Sequence, residues 1–128
     1  MSTLLLAIDE THVSSRLTST FKDAGFAVLT VADGFEAYRT ARAVRPDIVI
    51  ADYRLARLGG LELCTKLRND HATREIPVIL LTASGFGVPS ESRPANIRRV
   101  LAKPVKPHAM LSLVRSILRR SAVPVGAC

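Results

Sequence analysis

The chain is 128 residues long, 48% hydrophobic, and carries a formal net charge of +7; that length suits one domain burying about two-thirds of its unfolded surface without covalent staples. The apolar content excludes a disordered chain, and no stretch reaches the roughly 18 apolar residues of a membrane span. The charge is unevenly placed: residues 1–89 hold ten Lys/Arg and ten Asp/Glu, whereas residues 90–128 hold eight Lys/Arg and a single acid, Glu91.

The first apolar run, Leu4–Ile8, predicts a strand. It lacks a basic lead and stops at Asp9-Glu10, so it is not a secretory signal. Val13, Leu17, Phe21 and Ala24 then recur at helical spacing, with Gly25 placed to cap the helix C-terminus. Ala27–Val31 predicts the second strand, and Asp33 is placed to cap a second helix striped by Ala37, Ala41 and Val44 and ended by Pro46. Ile48–Ala51 predicts the third strand, and Leu63, Cys64 and Leu67 mark the third helix. Val78–Leu81, opened by Pro77, and Val100–Ala102 predict the last two strands. Between them, Ser84–Asn96 contains Gly85, Gly87, Pro89 and Pro94, so a fourth helix there is expected to be short, frayed or absent. The last helix opens at Pro107, where a missing N–H costs nothing, and carries Met110, Leu113, Val114, Ile117 and Leu118 on one stripe.

Several strand runs are continuous rather than alternating, as expected of strands covered on both faces. Five strand–helix units imply right-handed crossovers and an α/β fold. The expected form is a (βα)5 flavodoxin-like, five-stranded parallel sheet of order 2-1-3-4-5, with helices on both faces. One domain over residues 1–121 and a tail over 122–128 are expected. Of the two cysteines, Cys64 falls in a helical pattern and Cys128 is terminal, which argues against a structural disulfide and for a reducing, cytoplasmic setting.

In such a sheet, ligands bind beyond the carboxyl ends of the strands, near the point where strand order reverses. The first strand ends in Asp9-Glu10, the third in Asp52, the fourth in Thr82 and the fifth in Lys103-Pro104. Carboxylates, a hydroxyl and an ammonium therefore converge on one rim. Oxygen ligands of this kind suit Mg²⁺, and a lysine opposite them acts as a point charge for phosphate. A strand-terminal Asp can also be a plain helix cap, Thr82 a plain strand residue and Lys103-Pro104 an ordinary strand exit. Glu10 reads more readily as an acid favoured by a helix N-terminus than as a metal ligand.

Four segments in order, Asp9-Glu10, Pro46 to Tyr53 (PDIVIADY), Leu80-Leu81-Thr82-Ala83 and Ala102-Lys103-Pro104, resemble the signature blocks of response-regulator receiver domains. The spacing, 43 residues from Asp9 to Asp52, 30 more to Thr82 and 21 more to Lys103, is similar to that family's, and the likeness runs from Leu4 to about Arg120. The resemblance implies a phosphotransfer switch that is not a turnover enzyme. A histidine kinase or histidine phosphotransfer protein would present phosphohistidine, and Asp52 would attack phosphorus. Mg²⁺ would be held by Asp9, Asp52 and the backbone carbonyl of Arg54, with Glu10 a further candidate. Lys103 would pair with a phosphoryl oxygen, and Thr82 would swing inward to report phosphorylation.

Five residues at four sites depart from the family pattern. Counting back from Gly25 places Asp9 at the second of two adjacent acids, with Ile8 in place of the first, so weakened Mg²⁺ binding is expected. Val100 stands where an inward-rotating Phe or Tyr is usual, Asn96-Ile97 where Gly-Ala is common, and Ala56 where the loop after the acceptor usually has proline. An alternative reading is therefore a non-phosphorylated pseudo-receiver acting as a protein–protein interaction module. A flavin-binding protein on the same fold is disfavoured, since no Ser/Thr/Gly-rich loop follows the first strand.

The basic last third corresponds to the family's output or dimer face and carries Arg93, Arg98, Arg99, Lys106, Arg115, Arg119 and Arg120. An acidic protein surface is the expected partner. Nucleic acid is disfavoured because no helix-turn-helix or aromatic stacking platform accompanies the charge, and membrane anchoring because no lipidation site or spare apolar face is evident. The residues after Arg120 are too few for an output domain, so the sequence reads as a stand-alone receiver.

Overall fold

The computed structural model describes residues 2–83 and 93–122. The elements run β1 (Thr3–Ala7), α1 (Thr11–Asp23), β2 (Ala27–Val31), α2 (Gly34–Val44), β3 (Ile48–Asp52), α3 (Gly60–Asn69), β4 (Val78–Thr82), β5 (Ile97–Ala102) and α4 (Pro107–Ala122). All strand pairs are parallel, and the sheet order is β2-β1-β3-β4-β5, as the strand–helix alternation predicts.

The continuous apolar runs have a plain cause. Strand side chains alternate between faces, and here both faces are covered. Leu5, Ala7, Val49, Ala51 and Leu80 pack with Ala37, Ala41, Leu63 and Leu67 on the α2–α3 side. Leu4, Leu6, Ile48, Ile50, Ile79 and Leu81 pack with Leu17, Phe21, Met110 and Val114 on the α1–α4 side. Each fully buried Leu or Ile stabilises the fold by about 1.5–3 kcal/mol relative to exposure, which makes this double layer the main source of stability.

Local signals place the helices. Gly25, at φ 95°, donates its N–H to Lys22 O while the Phe26 N–H reaches Phe21 O, the paired bonds of a Schellman stop. The Phe21 and Phe26 rings close it edge-to-face at 5.2 Å. Asp33 caps α2 by accepting the Glu36 N–H at 2.7 Å, and Pro107 is the first residue of α4.

Several strand boundaries differ from expectation: β1 starts one residue earlier, at Thr3, and β3 and β4 each run one residue further, to Asp52 and Thr82. β1 ends at Ala7, so Ile8 lies just beyond it. β5 begins three residues earlier than its apolar run, at Ile97, because a register shift inserts Arg98 between the pairings of Ile97 and Arg99. Asn96 is buried at the entrance to β5, where its side-chain amide donates to Cys64 O (3.0 Å) and its carbonyl accepts the Val78 N–H. Asn96-Ile97 thus serve the strand rather than a helix. Of the segment expected to hold an irregular fourth helix, residues 84–92 lie outside the described residues and 93–96 carry no helix.

Candidate functional site

Alternation along β3 makes Asp52 the outermost residue on the face of Ile48 and Ile50, at the carboxyl edge of the central strand. The residue is 3% exposed. Its neighbours are delivered by two other strand ends. The Asp9 N–H, just past β1, donates to Asp52 Oδ2 at 3.3 Å. Lys103 follows β5, tied in place by its N–H to Thr82 O, and brings its ammonium 2.8 Å from Asp52 Oδ1. That contact is an ion pair off the alignment of a hydrogen bond, so Oδ1 is a buried acceptor with no hydrogen-bond donor. The same ammonium donates to Glu10 Oε1 at 2.7 Å, so one cation bridges an exposed and a buried carboxylate.

The electrostatics follow from these positions. Burial raises the Asp52 carboxyl above its ordinary range, and the Lys103 ammonium and Asp9 N–H offset only part of this. Burial pulls the Lys103 ammonium down, but the carboxylates of Asp52 and Glu10 outweigh it and leave it raised. The hydrogen bond from Lys103 lowers Glu10.

A cleft of about 280 Å³ opens over this group, lined by Asp9, Glu10, Asp52, Tyr53, Arg54, Leu81, Ala83 and Lys103. Every proposed ligand or phosphate contact except Thr82 lines it. Thr82 is 2% exposed at the end of β4 and shares the parity of Val78 and Leu80, which face the α2–α3 side. Glu10, at the N-cap position of α1, makes no capping hydrogen bond; its carboxylate goes to Lys103. Ile8 is 3% exposed within the α1–α4 cluster, so the position expected to have lost an acid is part of the core. Val100, in place of the usual aromatic, packs half-buried against the α2–α3 cluster.

Sequence reasoning missed how the loop after Asp52 is held. The Gly34 N–H donates to Ala56 O (3.1 Å), and Asp33 and Ala56 form an isolated parallel bridge. A Cβ at Gly60 would sit 2.1 Å from the Asp52 carbonyl oxygen, and one at Gly34 1.8 Å from Leu58 O. Glycine is required at both positions for backbone to meet backbone. A glycine beside a strand-end acid was the available signal.

The donor set fits Mg²⁺ with most of its water retained. Among the described residues no group of three or more His, Cys, Asp or Glu side chains is gathered as a cage, but Mg²⁺ normally takes only one or two carboxylates plus water and phosphate oxygens. Asp52 Oδ1, ion-paired with Lys103 but without a hydrogen-bond donor, is available for that role, and Asp9 and Arg54 line the same cleft.

A flavodoxin-like sheet with a buried acid and a lysine over its central strand defines a CheY-type receiver architecture. A family model described as the response regulator receiver domain matches residues 4–115, and the chain belongs to that family, whose members work in two-component signalling. It is 30% identical over 122 residues to the DNA-binding dual master transcriptional regulator RpaA of Synechocystis, covering 94% of this chain and 51% of that protein. It is 29% identical over 119 residues to the DNA-binding response regulator MtrA of Mycobacterium tuberculosis, covering 92% and 51%. The chain thus spans about half the length of these curated relatives. Among solved structures, the receiver domain of a Pseudomonas aeruginosa sensor histidine kinase, crystallised with magnesium coordinated in its active-site cleft, matches with a TM-score of 0.81 at 27% identity, covering 92% of this chain and 98% of that one. The chemotaxis response regulator CheY4 of Vibrio cholerae matches with a TM-score of 0.82 at 26% identity, covering 91% and 98%. Receiver domains take histidine kinases or phosphotransfer proteins as partners. No described helix is long and apolar enough to cross a membrane.

Proposed function

We propose that this receiver accepts a phosphoryl group onto Asp52 from the phosphohistidine of a histidine kinase or phosphotransfer protein. The observation that carries the reading is the buried Asp52 carboxylate with the Lys103 ammonium 2.8 Å away on a solvent-open cleft. A carboxylate oxygen attacks phosphorus in line, the P–N bond to imidazole breaks as the P–O bond forms, and the leaving imidazole nitrogen takes a proton from solvent. Burial makes the Asp52 carboxylate a more basic nucleophile once ionised. Lys103, already paired with it, exchanges part of that contact for a phosphoryl oxygen. Asp9, Asp52 and the Arg54 carbonyl would hold Mg²⁺, which when bound neutralises charge on the phosphoryl oxygens. Glu10 serves Lys103 rather than the metal. Thr82 reports the modification from β4. The acyl phosphate is a state of the protein and not a released product, so the chain is no turnover enzyme. A reducing, cytoplasmic setting suits the buried free Cys64, whose thiol burial pushes up to about 12.

A groove of about 440 Å³ between α1 and the β5–α4 loop adjoins the cleft, sharing Glu10 and Lys103 and adding Val13, Leu17 and Val105. It gives an incoming histidine-bearing helix a place to rest. The output partner in this reading is an acidic protein surface. Arg98 and Arg99 on β5, Lys106 in the loop that follows, and Arg115, Arg119 and Arg120 on α4 are exposed, and Arg99 and Lys106 flank a groove of about 310 Å³ that Leu101, Met110 and Leu113 also line.

The test is acetyl phosphate with Mg²⁺ followed by intact-mass spectrometry. One phosphoryl adduct is expected on the wild type and none on Asp52→Asn. The buried Ile8 and the small Val100 favour the second reading, a pseudo-receiver that only binds partners. A wild type that stays unmodified while still capturing its partner would establish that reading instead.

A further inference from the structure

Arg57 stands in the left-handed region at φ 69°, a conformation that favours glycine. Arg45, the left-handed cap of α2, shows that backbone alone can set such a conformation, so at Arg57 it is what the side chain touches that points to a use. Two contacts show that use. The guanidinium lies 3.6 Å from Asp33 Oδ2, and its Cζ stands 5.2 Å from the centre of the Phe35 ring. Asp33 is at the same time the cap of α2, with its other oxygen on the Glu36 N–H. The chain on either side is also docked: Ala56 O accepts the Gly34 N–H, and Leu58 passes so close to Gly34 that no Cβ fits. The clamped residues belong to the short loop between Asp52 and Gly60, whose first turn supplies the Tyr53 and Arg54 walls of the cleft. The Gly60 N–H returns to Tyr53 O at 2.8 Å and ties that first turn to the start of α3.

We infer that Arg57, gripping Asp33 and Phe35 at the start of α2, is a positioning residue for the phosphoacceptor loop. Resting on the phosphoacceptor reading, the inference assigns to the clamp the job of fixing the Arg54 carbonyl where a divalent cation needs it. Ala56 supplies none of the stiffness a proline would lend this loop, and the clamp supplies it from outside. An ion pair this exposed adds little to global stability. Its effect is on where the loop sits, and hence on cation affinity. The start of α2 thereby becomes coupled to the cleft without touching it.

Arg57→Gly removes the grip and leaves the left-handed backbone unstrained, so a loss of loop positioning is not confounded by added strain. Arg57→Lys keeps a cation beside Asp33. Three readouts apply to each: hydrogen exchange at the Gly34 and Gly60 amides, the Mg²⁺ midpoint from amide chemical shifts of residues 53–55, and phosphoryl uptake from acetyl phosphate. Arg57→Gly is expected to keep its melting temperature, expose the Gly34 amide to faster exchange and raise the Mg²⁺ midpoint by about tenfold, the usual effect of losing a group that orients a metal ligand. Arg57→Lys should recover part of both. An Arg57→Gly protein matching the wild type in amide exchange and Mg²⁺ midpoint would overturn the clamp. A wild type that binds Mg²⁺ yet gains no phosphoryl group would instead defeat the phosphoacceptor reading and leave the clamp standing. A wild type whose amides do not respond to Mg²⁺ would overturn the positioning role, whatever its phosphoryl uptake.

Discussion

The carboxyl ends of β1 and β3 lie side by side in the sheet, yet the chain treats them differently. At β3 a carboxylate is buried and matched by an ammonium that arrives from β5, 51 positions later in the sequence. At β1 the corresponding inward position is Ile8, which has joined the apolar layer, and the acid beside it, Asp9, is exposed and offers Asp52 only its backbone N–H. The fold dictates that both ends reach the cleft. It does not dictate what they carry. A rim of this kind can therefore carry an apolar residue at one strand end and still hold a buried carboxylate with its cation at the next.

The contrast breaks most sharply at Lys103. Lys103→Ala leaves Asp52 buried without its cation and removes the charge proposed to meet a phosphoryl oxygen. Phosphoryl uptake from acetyl phosphate should fall about a hundredfold, the usual loss when one pre-placed electrostatic contact is deleted. Time-resolved intact-mass measurements check it, and a rate within a fewfold of wild type would show that Lys103 is only a structural counter-charge.

Gly60→Ala tests the β3 side through the backbone. Its Cβ would meet the Asp52 carbonyl oxygen at 2.1 Å, with the Leu80 side chain at 2.9 Å. Backbone cannot yield as a flexible side chain can, so a loss of roughly 3 kcal/mol or more is expected in urea unfolding. An equally stable variant would mean that α3 can start elsewhere.

The β1 side is sharpened by restoring the acid. Ile8→Asp gives up a side chain that is 3% exposed, which should cost about 3 kcal/mol in hydrophobic burial. The same change places a second carboxylate next to Asp9, and the Mg²⁺ midpoint should drop. If stability falls and Mg²⁺ affinity does not rise, Ile8 lies too far from the cleft for its loss to have weakened the site.

Much of this contrast was legible in the sequence, for reasons that are local. Continuous runs such as Ile48–Ala51 announce strands buried on both faces; Gly25 and Asp33 announce helix ends because only a left-handed stop and an oxygen cap satisfy the exposed backbone groups there. The rim residues followed from the rule that strand ends converge. What stayed hidden was non-local. The Lys103–Glu10 bond joins positions 93 apart, and nothing in either neighbourhood indicates that one ammonium serves two carboxylates. The first three residues of β5 were missed because Arg98 and Arg99 interrupt its apolar run; on an edge strand with an inserted residue, exposed cations are compatible with pairing. The Tyr38 hydroxyl on Asp70, which Arg42 also holds, joins α2 to the end of α3 through polar groups with no spacing signature.

The smallest expected effect is a pH dependence, and its sign separates burial from pairing at Asp52. Burial raises the folded-state value of this carboxyl above its unfolded one, so the folded protein holds the proton more tightly. The stabilising contribution is then complete below the unfolded value of 3.8 and is lost as pH climbs through the raised folded value. Asp52→Asn has no such group, so its stability relative to wild type should improve across the acid range and level off once wild-type Asp52 is fully ionised. Lys103 behaves conversely at the other end of the scale: its raised value keeps its contribution intact until pH passes above 10.5, so it does not distort the acid limb. Urea unfolding of both proteins from pH 4 to 8 measures the difference. A gap that moves the opposite way would mean that Lys103 and the Asp9 N–H hold the carboxylate more firmly than burial opposes it, leaving Asp52 an ordinary paired acid with no extra basicity to bring to phosphorus.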